Sequence, residues 1–559
     1  MARTGKTSGT GHIRTAGAIR TTATAIAVAV AALAVPGCTS APASGRTGAA
    51  SAASSPAAPG SPDPATSSAP APSPTRSYPL STAPQTIPAV RTFEPARGPG
   101  WKPAPQARVL VAPANAAALA DEGRALARDL KLGYAEDGGP ARPGDVELAL
   151  GAAPAGGAEP VPESYTLTVR NGGVRITGPD DAGVFYGTRT LEQAVRAAGS
   201  IGEGTVKDAP DRPQRGLNLD IARKNFTAPW IEDRLREMAD LKLNQLGLHF
   251  SDDQAFRIAS VSHPEIVSDP HLTQAEVRGI VNLARSLHIE VVPEIDSPGH
   301  LGAVLRAHPG LQLRDAGGRA VKGAVDISDP AAARLVDELL REYLPLFPGA
   351  HWHVGADEYQ ALVVKDPQAS FPQLAAAARK RYGAGARVSD LATGWLNDRA
   401  AVVRGAGRVP KAWNDGFFTG GAATAARDLE VEYWTGKEIG ARPPLEYLRE
   451  GRPVVNLNDE YLYYVLGEPN DFTYPTGRRI YEQWTPLVLR GTEPVPAGYA
   501  AQILGARLAV WCDLAGSQTQ TQVADGIRLP LAALAQKVWD PRAPQPTWDQ
   551  FTALADRLR

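Results

Sequence analysis

The sequence predicts an α/β fold, a (β/α)8 TIM barrel preceded by a small α+β domain. From Arg215 onward, short apolar segments alternate with amphipathic helical stretches, as expected of parallel strands with crossover helices. Eight such segments span about 340 residues, a length that suits a barrel of eight strands. Before them, between residues 89 and 210, a hairpin signal and two helical stretches indicate a smaller mixed domain.

Residues 1–38 are typical of an export signal. Basic residues precede the uncharged, Ala- and Val-rich stretch Thr21–Gly37, which Cys38 follows. Val35-Pro36-Gly37-Cys38 resembles a bacterial lipobox, in which the cysteine is lipidated. Pro36 is unusual in that motif, so a secreted protein cleaved nearby is the alternative. We expect an exported protein that meets a membrane only through a lipid on Cys38.

Residues 39–88 consist mainly of Ala, Ser, Pro, Thr and Gly, and we expect a disordered linker there because such a segment has too little apolar surface to fold. The formal net charge of the whole chain is -1, which gives no sign of a nucleic-acid partner. Cys512 is the only other cysteine. We expect it to be a small buried hydrophobic side chain and to form no intramolecular disulfide.

The predicted α+β domain, residues 89–210, shows no candidate chemistry. Asn115 is a suitable N-cap for a helix from Ala116 to Leu132. Asn171-Gly172-Gly173 joins two alternating segments as a hairpin would, and a second helix is expected from Gly183 to Ala197. The four strands expected here are Arg108–Val111, Val146–Leu150, Tyr165–Val169 and Val174–Thr177.

The predicted barrel, residues 211–559, has eight strand segments and four clear helical stretches. Helices after the fifth, sixth and seventh strands are poorly defined by the pattern. The strands are Leu217–Ile221, Gln245–Phe250, Glu290–Ile295, Ala350–Val354, Val409–Trp413, Leu429–Tyr433, Pro453–Leu457 and Arg507–Trp511. The helices are Ala228–Leu241, Thr273–Leu287, Pro330–Leu346 and Val388–Val403.

A polar or aromatic residue follows every one of these strands. Reactive side chains of TIM barrels lie at the carboxyl ends of the strands, so these residues are expected to converge on one site. In strand order they are Arg223; Asp252 and Asp253; Asp296 and His300; Asp357 and Glu358; Trp413 and Asp415; Trp434; Tyr461; and Trp511 and Asp513.

The adjacent carboxylates Asp357 and Glu358 are the strongest chemical signal in the chain. Side chains alternate faces along a strand, so neighbours can reach one ligand only where the strand gives way to a turn. Two carboxyls held close retain one proton, which leaves one acid and one anion. Glycoside hydrolysis uses that pair of functions.

Three motifs resemble family 20 glycoside hydrolases, the β-N-acetylhexosaminidases. They are Leu219-Asp220-Ile221-Ala222-Arg223, His249-Phe250-Ser251-Asp252-Asp253-Gln254 and Val292-Pro293-Glu294-Ile295-Asp296-Ser297-Pro298-Gly299-His300. The resemblance extends from about Val109 to Trp539. It implies an exo-acting, retaining enzyme that needs no cofactor and removes terminal β-linked GlcNAc or GalNAc from a glycan or chitooligosaccharide. It also implies that the acetamide of the substrate is the nucleophile, through an oxazolinium intermediate.

The same resemblance implies a role for each site residue. Glu358 would be the general acid and base, and Asp357 would hold the acetamide N–H. Tyr461 would donate to the acetamide oxygen. Trp413, Trp434 and Trp511 would wall the pocket, Arg223 and Asp513 would bind sugar hydroxyls, and Asp252, Asp296 and His300 would form a supporting network. Apolar indole walls are expected to raise the pKa of Glu358 and keep it protonated.

The chain departs from the family pattern at three positions. Ala356 stands in place of a second glycine, Asp513 in place of glutamate, and Tyr463 where Asp or Asn is frequent. The choice among Tyr461, Tyr463 and Tyr464 therefore stays open.

Two alternatives to a hexosaminidase remain. One is an enzyme of the same family that resembles lacto-N-biosidase, and the other is a catalytically silent, amino-sugar-binding surface lipoprotein. No metal site is expected, since no histidine or carboxylate spacing suggests one. We expect three histidines, His249, His351 and His353, to pack or hydrogen-bond inside the barrel.

Overall fold

The computed structural model describes residues 77–136, 138–151 and 161–559. The export signal, Cys38 and the linker up to residue 76 lie outside these ranges, so lipidation of Cys38 stays a prediction. Ile87 is buried, and its N–H and C=O bond to the side chain of Gln193 at 2.7 and 2.9 Å. The folded part therefore begins before residue 88, which corrects the expected end of the linker. Within the described ranges, no helix is both long and apolar enough to span a bilayer.

The small domain is a seven-stranded mixed sheet with two helices that pack on it and on each other. The strands are β1 Thr92–Pro95, β2 Arg108–Val111, β3 Gly133–Ala135, β4 Val146–Leu150, β5 Tyr165–Arg170, β6 Gly173–Gly178 and β7 Gly204–Asp208, and the helices are α1 Ala116–Asp129 and α2 Asp181–Ala198. The strand order in the sheet is β1-β7-β5-β6-β4-β2-β3.

The predicted hairpin is confirmed. Arg170 pairs with Gly173, so Asn171 and Gly172 form a two-residue loop, and both have positive φ, as a type I′ turn requires. Asn115 does precede α1, but its side chain caps no N–H of that helix. It accepts instead from the Leu150 N–H at 3.3 Å, which ties the start of α1 to the end of β4.

Eight parallel strands form a closed barrel in the second domain. The strand bounds are β8 Gln214–Asp220, β9 Gln245–His249, β10 Glu290–Glu294, β11 Gln312–Arg314, β12 Ala320–Val325, β13 His351–His353, β14 Val409–Trp413, β15 Glu430–Tyr433, β16 Val454–Asn456, β17 Tyr463–Val465 and β18 Ile503–Trp511. The barrel strands, in chain order, are β8, β9, β10, β13, β14, β15, β16 and β18. The barrel is closed because β18 pairs both with β8 and with β16.

Three strands lie outside the ring. β11 and β12 pair as a separate hairpin in the connection from β10 to β13. β17 runs parallel to the second half of β18, with Tyr463 opposite Ala509 and Val465 opposite Trp511. The seventh barrel strand is thus short, and β17 takes its place beside the carboxyl end of β18.

Helices cover most connections of the barrel. Residues 414–429, all described, contain only the single 3-10 turn Asn414–Gly416 between β14 and β15. This is the region where the sequence pattern defined helices poorly. The helices are α3 Ala228–Asp240, α4 Gln274–Ser286, α5 Gly302–Ala307, α6 Pro330–Tyr343, α7 Pro367–Ser370, α8 Pro372–Tyr382, α9 Val388–Gly405, α10 Pro444–Arg449, α11 Gly477–Gln483, α12 Gln520–Trp539 and α13 Trp548–Arg557.

The interior of the barrel contains charged side chains that pair with each other. Lys411 Nζ lies 2.6 Å from Glu430 Oε2 and 3.4 Å from Glu432 Oε1, and Arg507 also pairs with Glu432. Burial lowers the pKa of Lys411 to about 8. Because a buried charge is costly without a partner, these pairs must assemble together with the barrel.

The small domain contacts the amino ends of the barrel strands. Lys242, between α3 and β9, is fully buried and donates to Tyr165 Oη and Thr190 Oγ1 at 2.9 and 2.8 Å. It also lies 3.4 Å from Asp208 Oδ2 in β7. Arg215, near the start of β8, reaches Glu163 at 2.7 Å. The domain therefore packs on the face of the barrel opposite to the carboxyl ends of the strands. In TIM barrels, residues on that face usually contribute to stability and not to catalysis.

Candidate active site

A cavity of about 500 Å³ lies at the carboxyl ends of the barrel strands. Its walls bring together eight of the residues predicted from the sequence. They are Arg223, His300, Asp357, Glu358, Trp413, Trp434, Trp511 and Asp513. The loops after six of the eight barrel strands and the last residue of the fifth, Trp413, contribute to the lining, so the predicted convergence is observed.

A sharp backbone turn after β13 directs Asp357 and Glu358 into the cavity. Gly355, Ala356 and Glu358 have positive φ values of 73°, 86° and 44°. The Ala356 N–H donates to Asp296 Oδ1 at 3.0 Å. A Cβ on Gly355 would lie 1.6 Å from that same oxygen, so this position requires glycine.

The extra methyl group of Ala356 is accommodated by a glycine on the neighbouring loop. A Cβ on Gly416 would lie 2.7 Å from the Ala356 Cβ. The absence of a side chain at Gly416 thus leaves the space that alanine occupies here, which explains how this departure from the family pattern is tolerated.

His300 lies among four carboxyl groups. Its Nδ1 is 3.4 Å from Asp252, and its Nε2 is 3.5 Å from Glu358 Oε2, 3.6 Å from Asp357 Oδ2 and 4.0 Å from Asp296 Oδ2. Burial alone would lower the pKa of His300, but Asp252, Asp357 and Asp296 raise it well above its ordinary value. The ring is therefore an imidazolium, and its charge offsets part of the negative charge around it.

Asp296 and Asp357 are two neighbouring carboxyls of this network; Asp296 is fully buried, and the side chain of Asp357 is 14% exposed. Burial raises the pKa of both carboxyls, and the neighbouring Asp357 raises the pKa of Asp296 further. Among the described residues, Asp296 Oδ2 and Asp357 Oδ1 have no hydrogen-bond donor. One proton shared by the two carboxyls would give these oxygens a hydrogen bond and leave one negative charge on the pair.

The pKa of Glu358 is lowered, and the expectation that it is raised is wrong for this state of the protein. The first cause is His300, whose Nε2 lies 3.5 Å from Glu358 Oε2, and its effect on the pKa outweighs that of burial. The Glu358 side chain is still 36% exposed, so the indole rings do not enclose it. The charge of His300 therefore affects the pKa of Glu358 more than the apolar indole rings do.

Arg223 is held between two buried carboxylates. Its Nη1 lies 3.1 Å from Asp220 Oδ2 and its Nη2 lies 2.8 Å from Asp252 Oδ2. The guanidinium stands 5.4 Å from the ring centroid of Trp511, within the range of a cation–π contact. Asp220, which sequence reasoning did not assign a role, also accepts from the Arg223 N–H at 2.9 Å and so fixes this side chain at the cavity.

Three indoles, the phenol ring of Tyr463 and the phenyl ring of Phe472 form the aromatic wall. The Trp413 Nε1–H donates to Glu294 Oε1 at 2.7 Å, and its ring lies 5.8 Å from that of Trp511. Trp434 stacks on Tyr463, with a centroid distance of 5.7 Å and an interplanar angle of 2°. The ring N–H of Trp413 is thus hydrogen-bonded behind the wall, whereas the ring N–H of Trp511 has no acceptor among the described residues.

Asp415 connects this wall to Glu358. Its Oδ1 accepts from Trp434 Nε1 and its Oδ2 accepts from the backbone N–H of Glu358, both at 3.0 Å. The sequence places Asp415 after the fifth strand but gives no sign that it holds Glu358. Only the fold, which brings the loops after the fourth and fifth strands together, shows that role.

The placement of Tyr461 on the cavity is corrected: Tyr463 lies there instead. Tyr461 is buried elsewhere, with the Arg479 guanidinium 4.0 Å from its ring centroid. Side chains alternate along β17, so Tyr463 and Val465 face the cavity. Tyr464 points away and donates to Gln518 Oε1 at 3.1 Å.

The remaining predicted residues support the cavity without lining it. Asp252 contacts both His300 and Arg223, and Asp296 contacts His300. Asp253 accepts from the Gly302 N–H at 3.0 Å, a structural role. His249 bonds to Asp252 and Glu294, and His353 to Glu294, inside the barrel as expected. Lys437 and Asp459, which pair at 2.8 Å, are cavity residues that sequence reasoning missed.

Comparison with known protein families decides the classification. Residues 213–542 match the family described as glycosyl hydrolase family 20, catalytic domain, and residues 83–209 match domain 2 of the same family. The chain belongs to glycosyl hydrolase family 20. The cavity is the candidate active site of this family 20 protein.

Several characterised proteins are similar to it. Lacto-N-biosidase of Bifidobacterium bifidum is 30% identical over 482 residues, which cover 85% of this chain and 42% of the relative. This chain thus spans less than half of that protein. Beta-N-acetylhexosaminidase of Cellulomonas fimi is 28% identical over 480 residues, 77% of this chain and 83% of the relative.

Solved structures share the fold. The family 20 exo beta-N-acetylglucosaminidase of Vibrio harveyi superposes with a TM-score of 0.69 at 20% identity, covering 87% of this chain and 79% of that one. The beta-N-acetylhexosaminidase of Streptomyces coelicolor gives 0.66 at 24% identity, with coverages of 86% and 96%.

Gly355→Ala tests the turn that directs the dyad. The new Cβ would collide with Asp296 Oδ1, so we expect the turn to shift and kcat/KM for an aryl N-acetylhexosaminide to fall by about 100-fold or more. Gly420→Ala is the matched control, because Gly420 also has positive φ, 72°, but a Cβ there meets nothing within 4 Å. Equal losses in the two variants would contradict the proposed role of Gly355.

Proposed function

We propose that this protein is an exo-acting, retaining β-N-acetylhexosaminidase that removes terminal β-linked GlcNAc or GalNAc from glycans or chitooligosaccharides. The observation that carries the proposal is the joint placement of Asp357, Glu358 and Tyr463 on one indole-walled cavity. An anion, a second carboxyl and a hydroxyl donor are the groups needed to orient an acetamide and to transfer one proton.

In the proposed reaction the acetamide of the substrate is the nucleophile. Its carbonyl oxygen attacks the anomeric carbon while Glu358 gives a proton to the leaving oxygen, and an oxazolinium ion results. Glu358 then takes a proton from water as the water attacks the same carbon, and the bond between that carbon and the acetamide oxygen breaks to restore the acetamide. Two displacements at one carbon retain its configuration.

The other cavity residues position the acetamide. Asp357 would accept from its N–H and stabilise the positive charge that develops there, and Tyr463 would donate to its oxygen. Trp413 and Trp511 would enclose its methyl group and exclude water. Fixing a weak nucleophile beside its target can lower the barrier by up to about 7–11 kcal/mol.

The low pKa of Glu358 in the free protein has to be reconciled with its role as an acid. A bound sugar would cover the exposed third of the side chain and so raise its pKa by desolvation. The proton would then be held on Glu358 only when the site is filled, while Asp357 would stay ionised because Asp296 keeps the shared proton.

A second candidate function is release of a disaccharide, as in lacto-N-biosidase. The 30% identity to that enzyme favours this function. The match covers 85% of this chain, compared with 77% for the hexosaminidase of Cellulomonas fimi. The presence of both Asp357 and Glu358 argues against a catalytically silent sugar-binding protein. The substrates that the protein hydrolyses distinguish the hexosaminidase, the disaccharide-releasing enzyme and the silent protein.

Aryl glycosides separate these functions. We expect nitrophenol release from nitrophenyl N-acetyl-β-glucosaminide, and none above background from the β-glucoside, which lacks the internal nucleophile. The first product should be the β-anomer by proton NMR. Release only from the nitrophenyl lacto-N-bioside would favour the second candidate, and no release from any of the three would favour the silent protein.

Tyr463→Phe tests the donor to the acetamide. Losing the hydrogen bond that orients the acetamide oxygen should cost about 1–3 kcal/mol, so we expect kcat/KM to fall about 5- to 150-fold. Tyr461→Phe is the control, because its ring lies away from the cavity, and its activity should stay within about twofold of the parent. The reverse ranking would restore Tyr461 to the site.

His300→Asn tests the imidazolium. His300 lowers the pKa of Glu358 and of Asp357, so removing its charge raises both. Because the acid must be protonated and Asp357 ionised, both limbs of the kcat/KM profile should move to higher pH. His271→Asn, a histidine outside the cavity, should leave the profile unchanged. An alkaline limb that stays in place or moves to lower pH would contradict the charge assigned to His300.

A further inference from the structure

A second cluster of side chains lies outside the active site. His263, Glu265 and His308, which we name the His263 cluster, place one donor atom each within 4.8 Å of one another. His263 Nδ1 lies 3.1 Å from Glu265 Oε1, and His308 Nε2 lies 2.9 Å from the same oxygen. His308 follows Glu265 by 43 residues, so spacing along the chain does not reveal the cluster.

The donor atoms are spaced as the ligands of a small metal ion would be. Zinc binds imidazole nitrogen and carboxylate oxygen at about 2.0–2.2 Å in tetrahedral geometry, which separates neighbouring donors by about 3.3 Å. The two nitrogen–oxygen distances fall within a few tenths of an ångström of that spacing. Two imidazoles and one carboxylate are also a donor set that zinc and similar divalent ions prefer.

The cluster has the outer support that metal-binding histidines usually have. The other nitrogen of His263, Nε2, lies 3.1 Å from Glu338 Oε2, which would orient the ring. Glu342, one turn further along α6, accepts from Ser260 Oγ at 2.7 Å and from the Val261 N–H at 2.6 Å. A helix of the barrel therefore holds the loop that carries His263.

The charges of the cluster call for a cation. Both nitrogens of His263 face carboxylate oxygens, and Glu265 Oε1 faces two imidazoles. A neutral imidazole would direct a lone pair at one of those oxygens, which is repulsive. A metal ion between the groups removes the repulsion. The side chain of His263 is 15% exposed, whereas those of Glu265 and Glu338 are 44% and 53% exposed.

We propose that the His263 cluster binds one divalent transition-metal ion of the zinc class, with water as the fourth ligand. The ion would join the connection after β9, which carries Asp252, to the connection after β10, which carries His300. These two connections already meet where Arg306 donates to the backbone oxygens of Asp253 and Gln254 at 2.8 and 2.9 Å. The role is structural: the ion would hold the base of the loops that position His300.

Zinc titration of the full chain, after EDTA treatment and dialysis, tests the site. We expect the parent protein to bind about one zinc ion more per chain than the His263→Ala/His308→Ala double variant, by calorimetry and by elemental analysis. Zinc should raise the Tm of the parent but not of that variant. Glu265→Gln, which keeps the shape and removes the anionic ligand, should weaken binding at least about tenfold.

Two controls make the outcome unambiguous. His271→Ala removes a histidine of the same loop that also lies beside a carboxylate, and it should bind zinc like the parent. His300→Asn tests the active site, whose Asp296, His300 and Asp357 also lie within 4.8 Å of one another. Activity of the double variant reports that it is folded. Zinc binding that persists in the double variant, that is lost in His300→Asn, or that is absent from the parent would overturn the proposal.

Discussion

One imidazolium stands among four carboxyl groups at the carboxyl end of the barrel, and the arrangement of the active site depends on it. His300 contacts Asp252, Asp296, Asp357 and Glu358 at 3.4 to 4.0 Å. Without that cation, four buried or half-buried carboxyls would repel one another and retain protons. With it, Asp252 and Glu358 are held ionised in the free protein, while burial leaves one proton between Asp296 and Asp357.

Backbone geometry places the dyad around this charge. Ala356 and Glu358 have positive φ, a conformation that costs of order 1–3 kcal/mol at a non-glycine residue. Two hydrogen bonds oppose that cost, from the Ala356 N–H to Asp296 and from the Glu358 N–H to Asp415. Both acceptors come from neighbouring loops, so the turn after β13 is stable only in the assembled barrel.

The aromatic wall and the dyad form one unit through Asp415. This residue holds the indole of Trp434 and the backbone of Glu358, and Trp434 in turn stacks on Tyr463. A change at any of the three should therefore affect the position of the acetamide as well as the proton transfer. The small domain and the proposed metal site lie outside this unit, and they act on it only through the rigidity of the barrel and of the loops after β9 and β10.

Alternating apolar and helical segments determined the barrel, and a polar or aromatic residue after each strand determined where the active site would be. Local chemistry likewise determined the type I′ hairpin of the small domain, since Asn171-Gly172 suits positive φ. The tertiary structure alone decided which tyrosine enters the cavity, because that depends on the register of β17 against β18. It alone decided the protonation of Glu358, the role of Asp415 and the His263 cluster. The physical reason is that periodicity and turn preference act between residues close in sequence, whereas a pKa, a ligand set or a buried hydrogen bond depends on distances between groups from separate loops.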